Sequence, residues 1–230
     1  MRSFTLVLWF MGVVVLATGS ALANTIWDPT ASYSNVNNPD GAWSYGWMNN
    51  SQFQLFTSNG PDPGPLPGWY GPLNGLVPYQ QELFPVVWLN TGSPVDGVQT
   101  GQLSLEPGPD GEAAIVRWTA PTGVGGLASI QGQFLPGDGG IMQVSIFENG
   151  NWTSPLWTGT DYGTFDLTTP LTAGDTIDFA AYGGFYSGNT PLQTTITVTP
   201  TPEPSAFALL GFGAIGLLGF AWRLRLRAKA

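Results

Sequence analysis

The stretch Thr164-Phe165-Asp166-Leu167-Thr168-Thr169-Pro170-Leu171-Thr172-Ala173-Gly174-Asp175-Thr176-Ile177-Asp178-Phe179 decides the fold class. Phe165 and Leu167 alternate with Thr164, Asp166 and Thr168, and Ile177 and Phe179 alternate with Thr176 and Asp178. A period of two sends apolar side chains to one face of an extended strand and polar ones to the other. Between the two runs, Ala173-Gly174-Asp175 supplies turn chemistry. The stretch therefore reads as strand, turn, strand with one buried face. Asp178 belongs to the face opposite Ile177 and Phe179 and is expected to point outward.

The same period recurs outward from this unit. Trp43, Tyr45 and Trp47 alternate with Ser44 and Gly46, Phe53 and Leu55 with Gln52 and Gln54, and Val144 and Ile146 with Gln143 and Ser145. Val116 and Trp118 flank Arg117, and Ile196 and Val198 sit among threonines. Turns fall between the runs, at Pro136-Gly137-Asp138-Gly139-Gly140 and Asn149-Gly150. No window outside the termini carries a helical stripe. Short strands with one apolar face and frequent turns predict an all-β protein, an antiparallel β-sandwich. Residues 59–75 read as a long irregular loop, because their prolines exclude a central strand or helix. Residues 24–198 are taken as one domain, with an alternative boundary near 107–112.

Composition excludes several chemistries. The 230 residues contain no cysteine and no histidine, so there is no disulfide, no thiolate or imidazole metal site and no Ser-His triad. Between Asn24 and Thr199 stand 14 carboxylates and one cation, Arg117, giving this region a net charge of −13. Such a surface repels phosphate backbones, so nucleic acid is not an expected partner.

The two ends read as addresses. Arg2, the apolar run Leu6 to Ala17 and the small-x-small site at Ala21 and Ala23 form a secretory signal peptide over residues 1–23, addressed to Sec-type export machinery. At the other end come a proline-rich linker over 199–205, 17 uncharged residues from Ala206 to Trp222, and a basic tail over 223–230. As a helix the uncharged run spans about 25 Å, enough for one short transmembrane helix. Arg223, Arg225, Arg227 and Lys229 then set the orientation, basic tail inside and body outside.

Pro202-Glu203-Pro204, the apolar run and the arginine cluster, in that order, closely resemble the PEP-CTERM sorting signal of exopolysaccharide-producing bacteria. The resemblance implies processing at Pro202, Glu203 and Pro204 by an exosortase, a membrane transpeptidase. It also implies a transient inner-membrane anchor, followed by the cell surface or the biofilm matrix. In the body, Asn38-Pro39-Asp40-Gly41-Ala42-Trp43-Ser44-Tyr45-Gly46, Val144 to Gly150 and the Leu-x-x-Gly-Asp-x-Ile-Asp-Phe element at 171–179 resemble jelly-roll-like sandwich domains of secreted bacterial proteins. Some of those are related in shape to carbohydrate-binding modules. The resemblance implies a fold and no particular ligand.

The candidate site residues follow from what remains. A glycosidase needs two carboxyl groups facing across a cleft. Asp161 with Asp166, or Asp175 with Asp178, are the candidate pairs; all four also read as turn caps and solvated strand faces. Asp110, Glu112, Asp138 and Asp161 sit in turn-like sequence and are the candidate oxygen ligands if calcium is bound. Trp69, Tyr70, Trp152, Trp157 and Tyr162, with Tyr182 and Tyr186, lie in or beside Gly- and Asn-rich turns. Exposed rings there would stack on the apolar faces of sugars. The expectation is an exported protein with no catalytic residues and no cofactor beyond calcium, its alternatives a polysaccharide-binding module and, more distantly, a glycoside hydrolase.

Overall fold

The structure is a computed structural model. It describes residues 25–49, 52–61, 67–71, 85–138, 141–184, 188–200, 211, 213–220 and 222. The signal peptide with Ala21 and Ala23, the Pro202-Glu203-Pro204 motif and the basic residues Arg223, Arg225, Arg227 and Lys229 lie outside the described residues. So does Tyr186.

Contacts divide the chain into two units. One is Asn24–Thr201; the other joins the two terminal segments. In the second unit, residues 211, 213–220 and 222 are helical with exposed side chains. Among the described residues no helix is long and apolar enough to cross a membrane, and the expected span 206–222 reaches beyond them.

The Asn24–Thr201 body folds into two antiparallel sheets. The strands are β1 (Ile26–Trp27), β2 (Trp43–Asn49), β3 (Gln52–Leu55), β4 (Ser58–Pro61), β5 (Pro67–Tyr70), β6 (Val86–Leu89) and β7 (Leu103–Glu106). They continue with β8 (Ala113–Thr119), β9 (Gly126–Phe134), β10 (Gln143–Glu148), β11 (Trp157–Thr160), β12 (Gly163–Leu171), β13 (Thr176–Tyr182) and β14 (Thr190–Pro200). The first sheet runs β12-β9-β14-β7-β6-β5-β4, with β1 also on β14; the second runs β11-β10-β13-β8-β2-β3. From β7 onward the chain passes repeatedly between the sheets, so most neighbours within a sheet are distant in sequence. Nothing divides the body near 107–112, because β7 and β8 on either side belong to different sheets around one core.

That core is built from the alternating residues. Tyr45, Val116, Trp118, Val144, Ile146, Ile177 and Phe179 meet Leu103, Leu105, Ile130, Phe134, Phe165, Leu192 and Ile196, all buried. Rings bridge the sheets, with Phe165 5.9 Å from Phe179 and Phe134 5.8 Å from Trp157. Every residue of this cluster lies between Trp43 and Val198, so the body carries its own complete core. In the Leu171–Phe179 element, Gly174 supplies the positive φ of the turn and the Asp175 carboxylate accepts from Thr172 N–H and Oγ1. Asn38 clamps the segment before β2, exchanging hydrogen bonds with the backbone of Tyr45 and donating to Phe56 O.

Two boundaries differ from the sequence reading. The stretch expected as one loop contains the paired strands β4 and β5. Proline is tolerated there because Pro61 ends an edge strand and Pro67 begins its partner. The final strand also runs two residues past 198. β14 pairs with β9 through Pro200 opposite Gly126, so the linker begins later than expected.

Candidate functional site

The second sheet has an outer face, turned away from the sandwich core, that carries a layer of its own. Register places Phe147, Asp178, Arg117 and Ser44 in one row across β10, β13, β8 and β2. The next row is Ser145, Ala180, Ile115, Gly46 and Leu55. Ala113, Met48 and Phe53 stand beside one another in the row after it, and Tyr182 opposes Gln143. Small residues form the floor: Ala113, Ala180, Gly46, Ser44 and Ser145.

Aromatic rings lie over that floor. Trp152, from the β10–β11 loop, stacks on Phe147 with centroids 4.3 Å apart and meets Tyr182 edge-on at 5.2 Å. Phe53 lies against Gly46, where a Cβ would stand 2.6 Å from the ring. The Arg117 guanidinium sits 3.8 Å above the Phe53 centroid, within cation–π range. Phe53, Trp152 and Tyr182 are half-buried around buried Ile115, Phe147 and Ala180.

Polar groups converge on the same layer. Arg117 donates from Nε and Nη2 to the two oxygens of Asp178, at 2.6 and 2.8 Å. The Asp178 side chain has no exposure and that of Arg117 has 18%. Burial pushes the Asp178 carboxyl above its ordinary range, while the bonds from Arg117 pull it the other way. Ser145 Oγ and Tyr182 Oη hydrogen-bond at 3.0 Å. The Trp152 Nε1 is shielded from solvent without a hydrogen-bond partner.

The expected site residues are scattered by comparison. Trp69 is a core residue, 5% exposed, with Nε1 donating to Ser34 O at 2.6 Å; its ring is not available as a surface platform. Tyr70 packs against Val86, Trp88 and Val98. Trp157 packs against Phe134 and Phe165 above Gly159 and Gly163. Tyr162 is 57% exposed, on the β11–β12 turn away from this layer. Of the original aromatic candidates, the structure brings together Trp152 and Tyr182 and adds Phe53. Asp178 does lie on the face opposite Ile177 and Phe179, yet it is buried under Arg117 instead of standing in solvent.

Most of the candidate carboxylates are engaged singly. Asp166 accepts from Gln131 Nε2 on the exposed outer face of the first sheet. Asp175 caps the Thr172 turn and accepts from Asn149; the bonds from Thr172, and then that from Asn149, hold its carboxyl below its ordinary range. Asp161 occupies a turn with φ of 69°. Buried Glu112 accepts from Asp110 N–H at 3.0 Å, and Asp138 accepts from Asn189 N–H at 2.7 Å. Among the described residues no three or more Asp or Glu side chains gather as a metal-binding group. A concavity of about 600 Å³ opens beside Trp27, Ala42, Thr119, Pro121 and Gly174, without a charged lining residue.

Residues 200–226 match the PEP-CTERM protein-sorting motif. No curated protein matches the chain. Among solved structures, the chain is similar to the native structure of a family 35 carbohydrate binding module from Clostridium thermocellum. Identity is 16%, over 45% of this chain and 84% of that one, with a TM-score of 0.32. A family 35 module from an environmental isolate matches at 15% identity over 49% and 86% of the two chains, TM-score 0.31. The Agl-KA catalytic domain matches at 14% over 44% of this chain and 22% of that chain, TM-score 0.28.

Proposed function

We propose that this chain, which ends in a PEP-CTERM sorting motif, is a non-enzymatic exported protein of the cell surface or extracellular matrix whose sandwich body binds polysaccharide. The motif at 200–226 implies export, processing by an exosortase and association with membrane or surface. The signal peptide over 1–23 and a single C-terminal span over 206–222 complete the route in this reading, with the anchor removed when the tail is cut near Pro202-Glu203-Pro204.

The observation that carries the binding role is the aromatic layer on the outer face of the second sheet. Phe53, Trp152 and Tyr182 are half-buried over a face turned away from the main core, with hydroxyl and guanidinium groups beside them. Ring faces pack against the apolar faces of sugars, and the polar groups between them fix orientation. The non-enzymatic part is supported by the carboxylates: Asp175 and Asp178, one of the candidate pairs, are committed to Thr172 and to Arg117 respectively.

Pull-down of the Asn24–Thr201 body by insoluble extracellular polysaccharide from an exopolysaccharide producer tests this. Retention is expected for the native body and loss of retention for Trp152→Ala at unchanged far-ultraviolet circular dichroism. Equal retention of both proteins would place binding elsewhere, and no retention of either would leave a purely structural matrix role.

A further inference from the structure

We infer that the aromatic layer on the second sheet selects uncharged polysaccharide and rejects uronate- or sulfate-bearing polymers. The inference rests on the binding role proposed above and adds the chemical class of ligand.

Charge decides the class. A polyanion needs a free cation at its binding surface, and the region Asn24–Thr199 has one cation in all, Arg117, against 14 carboxylates. That cation lies in the layer itself, over the Phe53 ring, and is already neutralised. Asp178 takes Nε–H and one Nη2–H in a two-point bond, and because its carboxylate is fully buried it cannot turn away to solvent and release the guanidinium. Displacing Asp178 by a ligand carboxylate would leave a buried anion without a partner, which is strongly unfavourable. An anionic ligand would therefore meet a locally neutral site within a body of net charge −13, and each added ligand charge would increase the repulsion.

The same geometry suits hydroxyl groups. Two of the five guanidinium N–H donors are used by Asp178, and the 18% of the Arg117 side chain that is exposed can present a remaining donor to a neutral acceptor such as a sugar hydroxyl. Tyr182 Oη, oriented by its bond to the buried Ser145 Oγ, keeps the capacity to donate or accept. Trp152, half-buried, offers apolar ring surface beside them. Every group the layer offers is thus a hydrogen-bonding dipole, a compensated charge or a ring.

The test is a printed array of neutral, uronate-bearing and sulfated polysaccharides probed with the Asn24–Thr201 body in chelator, with affinities of the hits measured at about 20 mM and about 500 mM NaCl. These salts span a severalfold change in screening length. Neutral polymers are expected as the hits, with affinity changing less than about twofold between the two salts, because no counterions are released. Binding of a uronate or sulfated polymer as tightly as any neutral one, or a loss of affinity of tenfold or more on raising salt, overturns the inference while leaving polysaccharide binding in place. An array without a single hit overturns both. The salt series needs no variant, so it stands even where Trp152→Ala is too destabilised to use.

Discussion

Replacing Arg117 with Met removes the cation facing Asp178 and keeps an apolar stem over the Phe53 ring. The Asp178 carboxylate is wholly buried and its two oxygens accept from the guanidinium at 2.6 and 2.8 Å. Breaking a buried pair from one side leaves an uncompensated charge and costs about 3–5 kcal/mol. In a domain of this size each kcal/mol moves the melting temperature by roughly 2–4 °C, so the drop at neutral pH is on the order of 10 °C. The loss has a pH signature. Burial holds the folded-state pKa of Asp178 above its unfolded value, so the folded state binds more protons and stability falls as pH rises through the window between the two. Without Arg117 the folded-state value rises further and the window extends upward. The deficit of Arg117→Met relative to the native body is therefore smallest near the ordinary carboxylate value, about pH 4, and grows as pH climbs through the two folded-state values. Arg117→Met with Asp178→Leu should recover most of the loss at neutral pH, because the unpaired charge is gone. Urea unfolding of the Asn24–Thr201 body from acid to neutral pH measures all three proteins. A single-variant loss under about 1 kcal/mol at neutral pH, or a deficit independent of pH, would refute the buried-charge reasoning.

Phe179→Ala should cost about 3–5 kcal/mol by opening a cavity between Phe165 and Trp43, both within ring-contact distance of the lost side chain; a urea midpoint close to native would mean the sheets close over the gap. Glu203→Ala should leave the full-length chain in the inner-membrane fraction of an exosortase-bearing host, where the native chain yields a body ending close to Thr201. Mass spectrometry of the mature C-terminus decides this, and an intact tail through Ala230 on the native protein would reject processing.

Much of the architecture was legible because period-two alternation is a local property. Phe165 against Asp166 and Ile177 against Asp178 assign their own faces without reference to any other strand, and Phe165 and Ile177 are in the core where the alternation puts them. The tail was legible for a different reason: its parts act in linear order, so Pro202-Glu203-Pro204, the apolar run and the arginines carry their meaning in sequence. The aromatic candidates were less legible. A turn-flanking tryptophan reads the same whether its ring is exposed or buried, and Trp69 is buried because β5 lies between β4 and β6 with Ser34 waiting 35 residues away.

The sequence by itself determined the all-β class, the sorting motif at the C-terminus and the acidity of the body, since each depends on composition, order or nearest neighbours. Only the tertiary structure decided that the second sheet carries an apolar cluster on each face. Ala113-Ala114-Ile115-Val116 is a continuous apolar run whose alternate members enter different layers, Ala114 and Val116 the main core and Ala113 and Ile115 the outer one. It likewise decided the fate of the body's one cation. Arg117 and Asp178 are 61 residues apart and meet because β13 pairs with β8 in the register that sets them directly opposite; a shift of one residue would put one of them in the core. Register is a long-range property of strand pairing, and no local pattern around either residue encodes it.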